Sequence, residues 1–221
     1  MIGGPPCETW SQARTVSIDG NSRREGPRAV RDEHHPWGMD SLGLGELTQI
    51  IFGTTLLLFV LEAFCLTAIM GGAGLVEHPA EPTKDGCATI WRLAITALLQ
   101  QLPGVSRLRV AQGSLGSESP KPTELMITGL PSLARLVDCH SVFQVSGATS
   151  IGKDEHGRYR TARLKEYPPA LNRAMAHAFA ESIERMPVDN SVHLPMLDVK
   201  SLLQAGFGKT YGPDFAPGSH T

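Results

Sequence analysis

The chain has 221 residues, enough for one sizeable core or one core with a small appendage. Its net charge of −2 excludes the overall basic balance typical of a nucleic-acid binder. The cysteines, Cys7, Cys65, Cys87 and Cys139, show no Cys-x-x-Cys and no histidine pair at metal spacing, which excludes a disulfide framework and a zinc knuckle and implies a reducing compartment.

In chain order, the first residues carry no basic region leading into an apolar one, so no secretory signal is expected. Residues 12–41 are polar, bear Gly and Pro, and contain Arg14, Arg23, Arg24, Arg28 and Arg31; they read as a loop. A long apolar helix is predicted over about 46–70, closed by Gly71-Gly72, then a buried strand in "AGLVEHP". Residues 88–102, "ATIWRLAITALLQQL", read as one buried helix. "SRLRVAQG" and "TELMIT" read as strands joined by the turn "SLGSESPKP". A loop-rich zone spans 138–166. "YPPALNRAMAHAFAESIERM" is a helix with prolines in its first turn and Leu171, Met175, Ala178, Phe179, Ile183 and Met186 on one face. The tail, 187–221, is expected to be poorly ordered. This order of elements predicts an α/β layer architecture.

The apolar run at 50–76 admits a second reading, because about 20 apolar residues span a bilayer. Against a span stand Glu62 near its middle, which costs roughly 2.5–3.5 kcal/mol on insertion scales, and the breaks at Gly53 and Gly71-Gly72. No Lys or Arg anchors either end, since Arg31 precedes the run and Lys84 follows it. A buried helix and strand is the preferred reading; one membrane span at about 47–70 is the alternative.

The stretch "MIGGPPCETWSQAR" frames Cys7 with two glycines and two prolines. Pro5 and Pro6 fix φ and stiffen the approach, Gly3 and Gly4 leave room for a ligand near the backbone, and Thr9 and Ser11 offer small hydroxyls beside the sulfur. A nucleophilic thiol needs such exposure and an environment that favours its thiolate.

"GGPPCETWS" resembles the Gly-x-Pro-Pro-Cys-Gln-x-Phe-Ser motif of the DNA cytosine-5 methyltransferases. "GLVEHPAEP" stands where that family has its Glu-Asn-Val or Glu-Asn-Pro motif, "AQGSLGSESPKPTELMIT" where it has an arginine-bearing turn and strand, and "KEYPPALNRAMAHAFAESI" where Gly-Asn-x-Val-Pro leads into a helix. The four blocks keep the family order over roughly residues 1–185. The departures are Glu8 for glutamine, His78 for asparagine, the weakened turn at Ser119, Lys121 and Thr123, and the lost Gly-Asn pair.

The resemblance implies a partial Rossmann-like methyltransferase sheet with flanking helices and a loop-rich C-terminal region. It divides the chain into a partial catalytic domain at 1–137, a target-recognition-like segment at 138–166 containing Tyr159, Arg160 and Lys165, a closing helix at 167–186, and the tail. It implies Cys7 as nucleophile toward carbon 6 of a flipped cytosine and Glu77 as the acid at ring nitrogen 3. It places Ser11, Arg14, Lys121 and Thr123 on substrate or nucleic acid, with loop 12–36 closing on phosphates, and Pro6 beside S-adenosylmethionine. Most of that cofactor's site is expected before Met1, so the isolated chain is expected to bind it weakly, and a partner chain or segment would supply the rest. DNA is the implied partner and an intracellular, in eukaryotes nuclear, location follows. A non-catalytic nucleic-acid-associated remnant is the other alternative. "LLQAGFGKT" is not a P-loop, since Leu203 stands at the first required glycine. Cys139-His140, His156 and His34-His35 lack metal spacing.

Overall fold

The computed structural model describes residues 1–10, 27–83, 85–138, 155–156 and 166–185. A mixed four-stranded sheet organises them. Strand β1 (Ile2–Gly3) runs parallel to β2 (Gly74–Pro79), with Ile2 opposite Leu75. Strands β3 (Val105–Ala111) and β4 (Pro122–Thr128) form an antiparallel hairpin, and β4 inserts beside β2, giving the order β1-β2-β4-β3. The architecture is therefore α/β.

Between the two parallel strands lies helix α1 (Leu44–Ile69). Its start is held by the Glu46 carboxylate, which accepts from the Gly43 amide at 3.0 Å. Its end is a left-handed turn at Gly71 (φ 67°), with Gly71 and Gly72 amides donating to the Ala68 and Thr67 carbonyls. Gly53 does not break the helix; it is buried within it. Ile50, Leu57, Leu61, Phe64 and Cys65 form the inner row, at the 3–4 residue spacing of one helix face.

Alternation along the strands sends successive side chains to opposite faces of the sheet. Val76 and Met126 join Leu57, Leu61, Phe64, Ile90 and Trp91 on the α1 face. Leu75, Leu125 and Ile127 join Leu130, Leu133, Leu171 and Met175 on the other face. The second face is covered by α3 (Pro131–Asp138) and α4 (Pro169–Arg185), which pack on each other.

Two expectations are corrected. Residues 88–102 do not form one helix: a 3₁₀ turn at Ile90–Arg92 is followed by extended Leu93 and then α2 (Ala94–Leu99). The reason is local competition, since extended Thr89 caps the Trp91 amide with its hydroxyl at 3.3 Å. Helix α3 was not expected; Pro131 opens it at a position where a missing N–H costs nothing. The loop-rich zone lies outside the described residues except for 138, 155–156 and 166, and the tail at 187–221 lies wholly outside them.

Candidate functional site

Beyond the carboxyl end of β1 the chain turns through Pro5 and Pro6 to Cys7, and the Trp10 amide closes this turn onto the Cys7 carbonyl at 3.0 Å. The two glycines before it serve close packing. A Cβ on Gly3 would lie 2.5 Å from Val60 Cγ1 of α1, and one on Gly4 would lie 2.9 Å from the Tyr167 hydroxyl and 3.7 Å from Glu77 Oε2. The room expected for a ligand is thus taken by a helix at buried Gly3, while Gly4 remains exposed beside the site's own side chains.

Glu77 sits late in β2, only 8% exposed. Its carboxyl is held by three elements. Gln112 Nε2, from the 3₁₀ turn Gln112–Leu115 after β3, donates to Oε1 at 3.3 Å. The Tyr167 hydroxyl, just ahead of α4, donates to Oε2 at 3.2 Å. The Lys121 ammonium, just ahead of β4, stands 3.9 Å from Oε1 and 5.6 Å from the centre of the Tyr167 ring. Gln112 is itself fixed by donating to Thr123 Oγ1 at 2.9 Å, and Thr123 donates to the Lys121 carbonyl at 3.0 Å.

The structure places Cys7 and Glu77 near enough for one to act on the charge of the other. Burial raises the proton affinity of the Cys7 thiol, the Glu77 carboxylate raises it further, and Lys121 opposes both. Burial likewise raises Glu77, against the pull of Lys121 and the Tyr167 hydrogen bond. Tyr167 is pushed up by burial and then by Glu77, so it remains a donor. Cys7 is half-buried and in the thiol form at neutral pH, which corrects the expectation of a resting environment that favours thiolate.

Other expected residues fall differently. Thr123 is fully buried behind Gln112, so it orients the site and has no surface open to nucleic acid. Thr9 does not offer its hydroxyl to the sulfur; it accepts from Arg31 Nε at 3.0 Å. Arg31 is buried, donating to the Ile50 and Pro36 carbonyls and to Thr54 Oγ1 and lying 4.0 Å from the Trp10 ring centre. Arg28 pairs with Glu46 at 2.5 Å. Both arginines tie the loop to α1, and Arg31, being buried, has no surface open to a phosphate. Ser11, Arg14, Arg23, Arg24, Tyr159, Arg160 and Lys165 lie outside the described residues.

Sequence reasoning missed Gln112 and Tyr167 as site residues. Each was legible only as the residue after a strand or before a diproline, and neither position announces a contact with a glutamate 35 or 90 residues away. Among the described residues no group of three His, Cys, Asp or Glu side chains could hold a metal ion. Comparison with known proteins found no matching family model, no matching curated protein and no matching solved structure.

Proposed function

We propose that this chain carries the nucleophile-and-acid half of a DNA cytosine-5 methyltransferase site on a Rossmann-like sheet. One observation supports the reading above the others: Cys7, beyond the carboxyl end of β1, and Glu77, late in the neighbouring parallel strand β2, lie close enough for the charge of Glu77 to act on the thiol, on the side where open α/β sheets bind ligands. In the proposed step the Cys7 thiol releases its proton to solvent water and the sulfur bonds to cytosine carbon 6. The carbon 5–carbon 6 double bond opens, and the protonated Glu77 carboxyl donates to ring nitrogen 3, which takes up the displaced charge. A carboxyl whose proton affinity burial has raised suits that task. The target base leaves the duplex to reach the pair, DNA is the partner, and the location is intracellular, nuclear in a eukaryote.

The described residues do not fit S-adenosylmethionine. Pro6, half-buried after β1, offers a ring and no charge or donor to hold a sulfonium, ribose or carboxylate. Two cavities, of about 190 Å³ between α3 and α4 and about 40 Å³ beside Cys87, include none of Pro6, Cys7 and Glu77. The proposal therefore stops at thiol addition, and no methyl-transfer step is derived.

The test is a DNA duplex with 2-pyrimidinone in place of cytosine, which traps thiol addition without methyl transfer. The full chain should give an adduct mapping to Cys7 by mass spectrometry. Cys7→Ala and Cys7→Ser should abolish it, because a hydroxyl is a far weaker nucleophile than a thiolate. Glu77→Gln should slow it by roughly 10²-fold through loss of the transferable proton. An adduct on another cysteine, or one undiminished in Cys7→Ala, overturns the assignment. The absence of any adduct overturns it in favour of the non-catalytic remnant.

A membrane span has one observation in its favour. Helix α1 is 26 residues long and includes an 18-residue stretch of mean hydropathy 2.2, and Leu44, Ile51, Phe52 and Phe59 are exposed on its outer side. Against it, spanning would strip Leu57, Leu61 and Phe64 from the sheet they pack on. We propose that α1 is the crossover helix of the sheet, with no membrane partner. Flotation of the chain with lipid vesicles would refute this.

A further inference from the structure

Lys121 is the one non-glycine residue with positive φ, at 32°, among the described residues. A lysine in the left-handed region costs about 1–2 kcal/mol, and such strain persists where the surroundings over-determine it. What holds it here is on both sides. Its carbonyl accepts from the Gln112 amide at 3.3 Å and from the Thr123 hydroxyl at 3.0 Å, closing the hairpin between β3 and β4. Its side chain, 20% exposed, turns back over the sheet end to place the ammonium 3.9 Å from Glu77 Oε1 and against the Tyr167 ring. The groups that bear on Cys7 are Glu77 from β2, Lys121 ahead of β4, and its chain neighbour Glu8; Tyr167, ahead of α4, is in turn influenced by Cys7. Both carboxylates oppose a negative sulfur and Lys121 favours it.

We infer that Lys121 is a positioning residue whose ammonium holds the Glu77 carboxyl group in place and supplies the positive charge against which the Cys7 thiolate forms. The inference rests on the reading of Cys7 and Glu77 as the working pair. Once a bound base takes the Glu77 proton and neighbouring charge shifts, Lys121 is the group already in place to balance the sulfur. The strained backbone is then explained: a relaxed residue at 121 would aim its side chain elsewhere.

The test is the pH profile of Cys7 alkylation by iodoacetamide in the full chain, read site by site by mass spectrometry. It needs neither DNA nor cofactor. Lys121→Gly suits the local φ, so the fold should hold or gain stability while the charge is lost; the Cys7 midpoint should then rise by about one pH unit, roughly tenfold less thiolate at pH 7.5. Lys121→Arg should restore the wild-type profile, and Glu77→Gln should move the midpoint down. A Cys7 profile unchanged in Lys121→Gly overturns the inference, as does Lys121→Arg behaving like Lys121→Gly. A Lys121 effect on alkylation with no pyrimidinone adduct sinks the cytosine reading alone; an adduct with no Lys121 effect sinks this inference alone.

Discussion

Glu77 and His78 are consecutive residues of one strand, both buried, and they meet opposite treatment. Glu77 projects to the face carrying Gln112, Lys121 and Tyr167 and has a hydrogen bond on each oxygen. His78, 1% exposed, projects to the α1 face, edge-on to Trp91 with ring centres 6.3 Å apart. Neither of its ring nitrogens has a hydrogen-bond partner among the described residues. Burial drives His78 down to about 3, outweighing the weaker pull of the Pro79 carbonyl, so the ring is neutral. One face of the strand has been built to keep a titratable group poised; the other simply seals one in. The difference teaches that burial alone does not mark a functional group: what marks it is convergence of partners from distant segments.

That contrast can be broken most forcefully at Trp91. Its indole donates to the Pro79 carbonyl at 2.7 Å and its ring separates His78 from Arg107, whose guanidinium lies 4.6 Å from the ring centre and pairs with Glu81 and Glu124. Trp91→Ala should cost about 3–5 kcal/mol in urea unfolding. It should also move the His78 titration, followed by NMR, upward toward 6.5 as the ring gains water. A loss below about 1 kcal/mol would mean that the sealed face is not the structural one.

The next effect is a pair of opposed pH dependences. For His78 the folded state binds fewer protons than the unfolded state between about 3 and 6.5, so stability is fully present above 6.5 and falls as pH drops through that window. For Glu77 the sign reverses: its folded proton affinity is raised, so the fold binds more protons than the unfolded chain above 4.5, and acidification toward 4.5 strengthens it. One fully titrating group gives a slope of about 1.4 kcal/mol per pH unit. Between pH 6.5 and 5, His78→Leu should therefore flatten or invert the acid loss, and Glu77→Gln should steepen it. Asp32 and Glu81, whose folded affinities are lowered, act below about 4.5, outside that window. Identical slopes in the two variants would erase the distinction between the faces.

The smallest expected effect lies within the site. Tyr167→Phe removes one hydrogen bond to Glu77 and should cost about 1 kcal/mol of stability. It should reduce Cys7 adduct formation more than that figure implies, because the carboxyl then loses its hydrogen bond on Oε2 and is oriented through Oε1 by Gln112 and Lys121. Gly4→Ala should act in the same direction by pushing the Tyr167 hydroxyl aside. Adduct rates equal to wild type in both would show that Glu77 does not need its ring of partners.

By itself the sequence determined the elements that local chemistry writes down. Twenty-six residues of apolar pattern ending in Gly-Gly specify α1; alternating or continuous apolar runs specify β2, β3 and β4; a diproline followed by a periodic face specifies α4. It also framed Cys7 with prolines and glycines, whereas Glu77 came to notice only through the resemblance of GLVEHPAEP to a family motif. Tertiary structure alone decided the rest. Strand order cannot be read from strand identity, and it is the insertion of β4 between β2 and β3 that carries Lys121 and Thr123 to Glu77. The period of two in a strand separates Glu77 from His78, but which face becomes the site depends on which helices cover it. Arg31 shows the same principle from the other side: a basic residue in a polar stretch reads as solvent-facing, and only the packing of residues 27–37 on α1, with Trp10, Thr9 and Thr54 waiting to pair with it, turns it inward. Local sequence sets what each segment can form, while the partners that tune a buried charge come from wherever the chain's hydrophobic faces bring them.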